Sequence, residues 1–166
     1  LGQGATGIVS EGLFGKCPVA IKQVRLDLIE EMWFLKRECE VLAQMHHPQC
    51  IAFYGYSQSH ECIMIVQELC QGGDMRTAIR ENSDTVLQRS KEFMVQIASA
   101  LEFLHSQSIV HRDVKAENVL LSEADIHRAT VKLCDFGLAK RILDHTNVTM
   151  TAGLGAGTGA SFGPSF

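Results

Sequence analysis

The sequence predicts an α+β protein of two unequal lobes. Three observations carry this: strand-like runs surround one helical stretch in the first half, Gly72-Gly73 breaks the pattern, and a long helical period opens the second half. In order, Ile8–Ser10 and Val19–Ile21 read as β-rich runs, the second following Pro18. From about Ile29 to Met45 apolar residues fall at helical spacing, among them Leu35, Val41, Leu42 and Met45. Pro48 stops that helix, because its ring cannot continue the hydrogen-bond ladder. Ile51–Tyr56 and Cys62–Val66 are expected as strands joined by the polar turn Ser57–Glu61. In the second half Val86, Phe93, Met94, Ile97, Leu101 and Leu104 mark one face of a long helix, with Ser83 or Asp84 as N-cap. Val119–Leu121 and Val131–Leu133 are short strands, and from Leu143 onward the Gly-, Thr- and Ala-rich chain reads as an extended loop.

At 166 residues, with 46% hydrophobic and 20% charged, the chain is long enough for one domain or a pair of small lobes and is not a disordered composition. A net charge of −4 supplies no broad basic surface, which argues against nucleic acid as the main partner. The run Cys62–Val66 stops at Gln67, and nothing approaches the ~20 apolar residues of a membrane span. Leu1-Gly2 opens directly into a glycine loop, so no signal peptide is expected and the chain reads as clipped at its front. Six cysteines, at 17, 39, 50, 62, 70 and 134, lack C-x-x-C or matching His spacing. Reduced thiols in the cytoplasm explain them better than disulfides or zinc.

Gly2-Gln3-Gly4-Ala5-Thr6-Gly7 is a G-x-G-x-x-G loop, which serves either as a phosphate cradle or as a plain turn. A dinucleotide fold needs a helix directly after such a loop, and here Ile8-Val9 continues as strand. Gly15-Lys16-Cys17 mimics the end of a Walker A motif, but Ser10 and Cys17 replace its first Gly and its Ser/Thr. Lys22 ends a strand 15 residues after Gly7, and Glu38 lies 16 residues further, on the inner face of the expected helix. They form either an ion pair aimed at a nucleotide or two solvated surface charges. His111-Arg112-Asp113-Val114-Lys115-Ala116-Glu117-Asn118 spaces a carboxylate from an amide so that one can face a hydroxyl while the other holds a metal. Seventeen residues on, Asp135-Phe136-Gly137 adds a second oxygen donor of the type that Mg²⁺ prefers.

In this order the motifs resemble the protein kinase family: Gly2-x-Gly4-x-x-Gly7-x-Val9, Val19-Ala20-Ile21-Lys22, Glu38, His111-Arg112-Asp113 through Asn118, and Asp135-Phe136-Gly137. The resemblance covers residues 1 to about 141. It implies a bilobal kinase fold, with an N-lobe and hinge over residues 1–70 and an incomplete C-lobe over 71–166 ending in the activation segment. It implies ATP and Mg²⁺, with Mn²⁺ as the alternative, and transfer of the γ-phosphoryl group to a protein hydroxyl. Leu1, Gly2, Gln3, Gly4 and Gly7 would cover the nucleotide, Lys22 paired with Glu38 would contact its α/β-phosphates, and Asn118 with Asp135 would hold the metal. Asp113 would accept the acceptor's proton, with Lys115 neutralising the moving phosphoryl group. Val9 and Ala20 would roof the adenine, Leu120 would floor it, the Glu68 and Cys70 backbones would bond it, and Asp74 would reach the ribose. Gln67 takes the gatekeeper position. Leu42, Phe53, His111 and Phe136 resemble the stack that aligns the two lobes.

Lys115 resembles serine/threonine kinases, and Arg37–Leu42 through His47-Pro48 and Phe53-Tyr54-Gly55 resembles their tyrosine-kinase-like branch. The implied partners are a protein with a Ser or Thr acceptor and an upstream activating kinase. Arg112 would bind a phosphorylated loop residue, for which Thr146, Thr149, Thr151, Thr158 and Ser161 are candidates. Thr158 is alternatively the loop threonine that touches Asp113 and Lys115. Cys134 is a buried inert thiol or a target for a nucleotide-site electrophile. The family's A-P-E is not found; aligning Gly157-Thr158 puts Gly163-Pro164-Ser165 in its place. Missing later helices would expose apolar surface on the helix Val86–His105. Two classes follow: an active enzyme, or a non-catalytic nucleotide-binding or regulatory module.

Overall fold

The computed structural model describes residues 2–4, 7–25, 39–40, 42–59, 61–136 and 140–141, with backbone alone for 2–4 and 140–141. An antiparallel five-stranded sheet is built from β1 (Gly2–Gly4), β2 (Gly7–Phe14), β3 (Cys17–Arg25), β4 (Phe53–Gln58) and β5 (Cys62–Glu68), in the order β1-β2-β3-β5-β4. The glycine motif is thus the join of two paired strands, with Gly2 opposite Val9 and Gly4 opposite Gly7. Gly7 has φ 131°, and a Cβ there would lie 2.3 Å from the Gln23 carbonyl oxygen, so only glycine fits.

Register decides which side chains share a face. Val9 faces Lys22 and Lys22 faces Ile65, while Ala20 faces Gln67. Directly opposed residues of an antiparallel pair point the same way, and so do residues two apart. Val9, Ala20, Lys22 and Gln67 therefore share one face. Val19 faces Glu68 on the other.

The strand expected from Ile51 begins two residues later, at Phe53. The Ile51 N–H donates to the Leu133 carbonyl at 2.9 Å, and the Leu133 N–H donates to the Gln49 carbonyl at 2.7 Å. Residues 49–51 thus pair across to the other half of the molecule. The second strand runs on to Glu68 instead of stopping at Val66, because β3 continues beside it as far as Val19. Of the helix expected over 29–45, residues 39–40 and 42–43 are helical, and the rest, with Glu38, lies outside the described residues.

After Gly73, α1 (Met75–Glu81) precedes α2 (Ser83–Ser106). The sequence reading overlooked α1, although Asp74 before Met75, Ala78 and Ile79 is a capping signal. The Asp74 carboxylate accepts from the Thr77 N–H at 2.9 Å and the Thr77 hydroxyl at 3.0 Å. The N-cap of α2 is Asn82, not Ser83 or Asp84, and its side chain makes no capping bond. Phe93, Ala100 and Leu104 form the buried stripe of α2, with Val86, Ile97 and Leu101 packed beside it. Met94, expected on that stripe, is 64% exposed. One residue beyond Phe93 turns it about 100° around the axis, off the core face. Leu87 and Val95 are exposed on the same helix.

Short pairs complete the fold: β6 (Ile109–Val110) with β9 (Lys140–Arg141), and β7 (Val119–Leu121) with β8 (Val131–Leu133), the latter as expected. A 3₁₀ turn, Ala116–Asn118, leads into β7. Gln96 Oε1 accepts the Val131 N–H at 2.8 Å, and the Arg89 guanidinium donates to the Ala129 carbonyl at 2.9 Å and to that of Ile126, so α2 grips the approach to β8. The core is continuous between the halves: Leu42, Ile51, Ile63 and Ile65 join Phe93, Leu104, Leu121, Leu133 and Phe136. Of the expected stack, Leu42, His111 and Phe136 are each 1% exposed and Phe53 packs against the same core.

His111 is a polar group in apolar surroundings, and both ring nitrogens are used. Nδ1 accepts the Asp113 N–H at 3.3 Å and Nε2 meets the Cys134 carbonyl at 2.9 Å, which defines the neutral Nε2–H tautomer. Its ring sits 5.1 Å from Phe136. Burial holds its pKa below the usual 6.5, outweighing the Cys134 carbonyl and the nearby Asp135 and Asp113. Between its folded value and 6.5 the His111 imidazole therefore binds more protons in the unfolded chain than in the folded one. Its contribution to stability is complete above 6.5 and is lost as pH falls from there through the folded value. Proton NMR titration of the His111 imidazole is expected to give a value below 6.5; a value above it would contradict the buried neutral ring.

Gly72 packs against β7 so closely that a Cβ would lie 2.3 Å from the Glu123 carbonyl oxygen and 2.6 Å from Leu121 Cβ. Gly72→Ala is expected to cost about 1–3 kcal/mol of stability by overpacking, read as a lowered denaturation midpoint.

Candidate functional site

The site forms where the sheet face bearing Lys22 meets the residues that follow β8 and the loop between β6 and β7. Lys22 Nζ lies 3.2 Å from Asp135 Oδ1, with the two side chains 11% and 32% exposed. These residues are 113 positions apart in the chain, so only tertiary packing brings them together. Asp135 has φ 61° and Arg112 has φ 67°. L-residues rarely adopt this left-handed region, and such strain persists where surrounding structure enforces it.

Asn118 is the centre of the second half of the site. It is 5% exposed, and its Nδ2 donates to the Asp113 carbonyl at 2.8 Å and to Asp113 Oδ2 at 2.9 Å. Its backbone carbonyl accepts the Cys134 N–H at 2.9 Å, which ties the loop to the residue before Asp135. With both amide hydrogens facing Asp113, Oδ1 is left as an acceptor. Lys115 Nζ approaches the same Asp113 oxygen at 2.6 Å. That hydrogen bond, helped by Asn118, holds the Asp113 carboxyl below its ordinary pKa and raises that of Lys115. Asp113 is accordingly a charged acceptor at neutral pH, suited to take a hydrogen bond from a hydroxyl.

An asparagine oxygen and a carboxylate are hard donors of the kind Mg²⁺ takes, and Mg²⁺ needs few protein ligands because waters and phosphates complete its shell. Among the described residues no group of three or more His, Cys, Asp or Glu assembles as a metal cage. Asn118 and Asp135 would suit a metal that arrives with phosphate. Lys22, a cation beside Asp135, fits the same anionic guest.

The residues expected around adenine fall on two parts of the fold. Val9 and Ala20 share the Lys22 face, and Leu120 is half-buried on β7 between the buried Val119 and Leu121. Leu120 and Asp74 are bridge partners, so the expected floor and ribose residues adjoin, although the Asp74 carboxylate is engaged with Thr77. Cys70 is buried at the end of the connection from β5, and burial pushes its thiol up to about 12. Burial likewise pushes Cys134 up to about 12, which keeps it a protonated thiol and favours the inert alternative. Among the described residues Cys17, Cys50, Cys62, Cys70 and Cys134 are free thiols. Gly2 and Gly4 are placed as strand backbone, while Leu1, the Gln3 side chain, Glu38 and the threonines and serine at 146–161 lie outside the described residues.

Two contacts near the site were invisible to sequence reasoning. Arg76 on α1 pairs with Glu117 of the 3₁₀ turn at 2.5 Å, across 41 residues. Lys132 on β8 pairs with Glu68 at 2.9 Å. No local spacing signals either, because each joins separate elements. Among the described residues no helix is long and apolar enough to cross a membrane.

Comparison with known proteins agrees with this geometry. A family profile described as the protein kinase domain matches residues 1–156. The chain is 33% identical over 157 residues to a probable serine/threonine-protein kinase, kinX, of Dictyostelium discoideum, covering 91% of this chain and 14% of that protein. It is 35% identical over 153 residues to mitogen-activated protein kinase kinase kinase 13-B of Xenopus laevis, covering 92% and 15%. It is 34% identical over 152 residues to tyrosine-protein kinase sid-3 of Caenorhabditis elegans, covering 87% and 12%. The chain therefore spans about one-seventh of the length of the first of these relatives. With that match over nearly its whole length, the chain belongs to the protein kinase family.

Proposed function

We propose that this chain transfers the γ-phosphoryl group of ATP to a serine or threonine hydroxyl of a protein. The carrying observation is the meeting of Lys22 with Asp135 at 3.2 Å, linked through Cys134 and Asn118 to Asp113. Lys22 would move from Asp135 to the α/β-phosphates, with Glu38 steadying its ammonium. Asn118 and Asp135 would hold Mg²⁺, or Mn²⁺ in its place. When bound, that ion supplies charge neutralisation on the phosphate oxygens. Asp113 would orient the acceptor hydroxyl and take its proton, and Lys115 would offset charge on the transferred group. Val9, Ala20 and Leu120 would enclose the adenine, with the Glu68 and Cys70 backbones as its hydrogen-bonding edge and Leu1, Gln3 and the loop glycines above the phosphates. Asp74 would add a ribose contact alongside its capping role.

The division of labour follows: residues 1–70 as N-lobe and hinge, and 71–166 as the part of the C-lobe that carries the catalytic loop and activation segment. Lys115 two residues after Asp113 supports Ser/Thr over Tyr, and Arg37–Leu42 supports the tyrosine-kinase-like branch of Ser/Thr enzymes. Arg112 supports control by an upstream kinase acting on the segment 146–161. Free thiols support a reducing compartment such as the cytosol.

In the full-length protein, Asp113→Asn is expected to lower phosphate transfer from γ-labelled ATP to Ser/Thr peptides by about 10²-fold or more, with nucleotide affinity retained. Undiminished transfer in that variant would reject the assignment. Transfer confined to tyrosine peptides would reject the Ser/Thr reading alone.

A further inference from the structure

One exposed ion pair stands beside the site and takes no part in the chemistry described above. Asp74, the bridge partner of Leu120, caps α1, and Arg76 on that helix reaches Glu117 of the 3₁₀ turn. The next residue, Asn118, holds Asp113. The pair thus bridges the helix capped by Asp74 and the loop that carries Asp113. Its side chains are 72% and 41% exposed. A pair so open to water gains little from its own attraction and is readily exchanged for another partner.

Hydrogen bonding on its two sides is unequal. The Glu117 carboxylate accepts from its own N–H and from Arg76, and these contacts hold its pKa below the usual carboxylate range. The other carboxylates on this side are engaged as well, Asp74 with Thr77 and Asp113 with Lys115 and Asn118. A guanidinium carries five N–H donors. Among the described residues Arg76 gives one, from Nη1, to Glu117, and Arg80 gives one, from Nη2, to Glu81. Residues four apart share a side of a helix, so the two arginines, 72% and 74% exposed, form one stripe leading from the loop along α1. The surplus at this edge is of cationic donors.

Resting on the phosphoryl-transfer reading above, the residues flanking a substrate's serine or threonine must pass beside this loop for the hydroxyl to reach Asp113. We infer that Arg76, with Arg80 behind it, selects protein substrates that carry an aspartate or glutamate close to the acceptor hydroxyl. A carboxylate fits the planar guanidinium through two parallel N–H···O bonds, and the single contact to Glu117 leaves donors for them. A substrate arginine or lysine meets the opposite situation: Glu117 is already neutralised by Arg76, and the arginine stripe repels a second cation. Arg76 is a specificity-determining residue in this scheme, acting on which peptide is held and not on the transfer itself.

The test uses the full-length protein and a library of serine peptides in which each flanking position is in turn Ala, Glu or Arg. The readout is the ratio of kcat/KM for Glu over Ala peptides at each position, so a general loss of activity divides out. The native protein is expected to favour Glu by about threefold or more at one flanking position at least. Arg76→Gln, at a site exposed enough to leave the fold intact, is expected to remove that preference. Glu117→Gln breaks the same ion pair and is expected to keep or increase it, whereas a merely structural pair would make the two variants behave alike. The inference is overturned by a native protein without the Glu preference, by Arg76→Gln that keeps it, or by Glu117→Gln that loses it. Should the native protein transfer phosphate to no peptide, the function proposed above fails by itself. The inference is then read from fluorescence anisotropy of a labelled, glutamate-flanked serine peptide. Binding to the native protein about threefold or more tighter than to Arg76→Gln supports it, and equal affinities overturn it.

Discussion

A single buried amide organises the site. Asn118 spends both of its side-chain hydrogens on Asp113 and its backbone carbonyl on Cys134. Leaving any of these groups without a partner in a site 5% exposed would carry a desolvation cost of about 1–3 kcal/mol. The loop between β6 and β7 and the segment after β8 are therefore held in one arrangement. His111 repeats the constraint from below, joining the Asp113 N–H to the Cys134 carbonyl through its two nitrogens. Asp113 and the residue before Asp135 are thereby tied to each other.

The sheet supplies the other half through Lys22. Its strands pair from β1 to β4, with a register shift between Phe53 and Gly55, and Lys22, Val9, Ala20 and Gln67 share one face. Among the described residues its links to the helical half include an apolar core through Leu42, Ile51 and Phe136, the segment 49–52, and the ion pairs Lys22–Asp135 and Glu68–Lys132. Apolar packing tolerates small rotations better than a hydrogen-bonded amide does, since it is non-directional.

The strands at Val119–Leu121 and Val131–Leu133 were legible because short β-branched and aliphatic runs flanked by polar turns have few other uses. The motif residues were legible because their types, order and spacing are chemical requirements. Met94 was misplaced because periodicity marks a stripe without saying how wide the neighbour covering it is. The start of β4 was misplaced because Ile51 and Ala52 look like strand residues and do make strand-like bonds, but with Leu133 and Glu68 rather than along β4. The α1 helix went unseen because it is only seven residues long, too short for a period to register.

What the sequence by itself determined was chemistry and local form: which residues carry an ammonium, a carboxylate or an amide, where glycine is required, and the alternation that makes strands. What only the tertiary structure decided was pairing across distance. Lys22 with Asp135, Glu68 with Lys132, and Arg76 with Glu117 join separate elements, and each could have had another partner of opposite charge. Charge has no directional code in sequence. The partner is chosen by which strands and helices the buried apolar surface brings within a few ångströms.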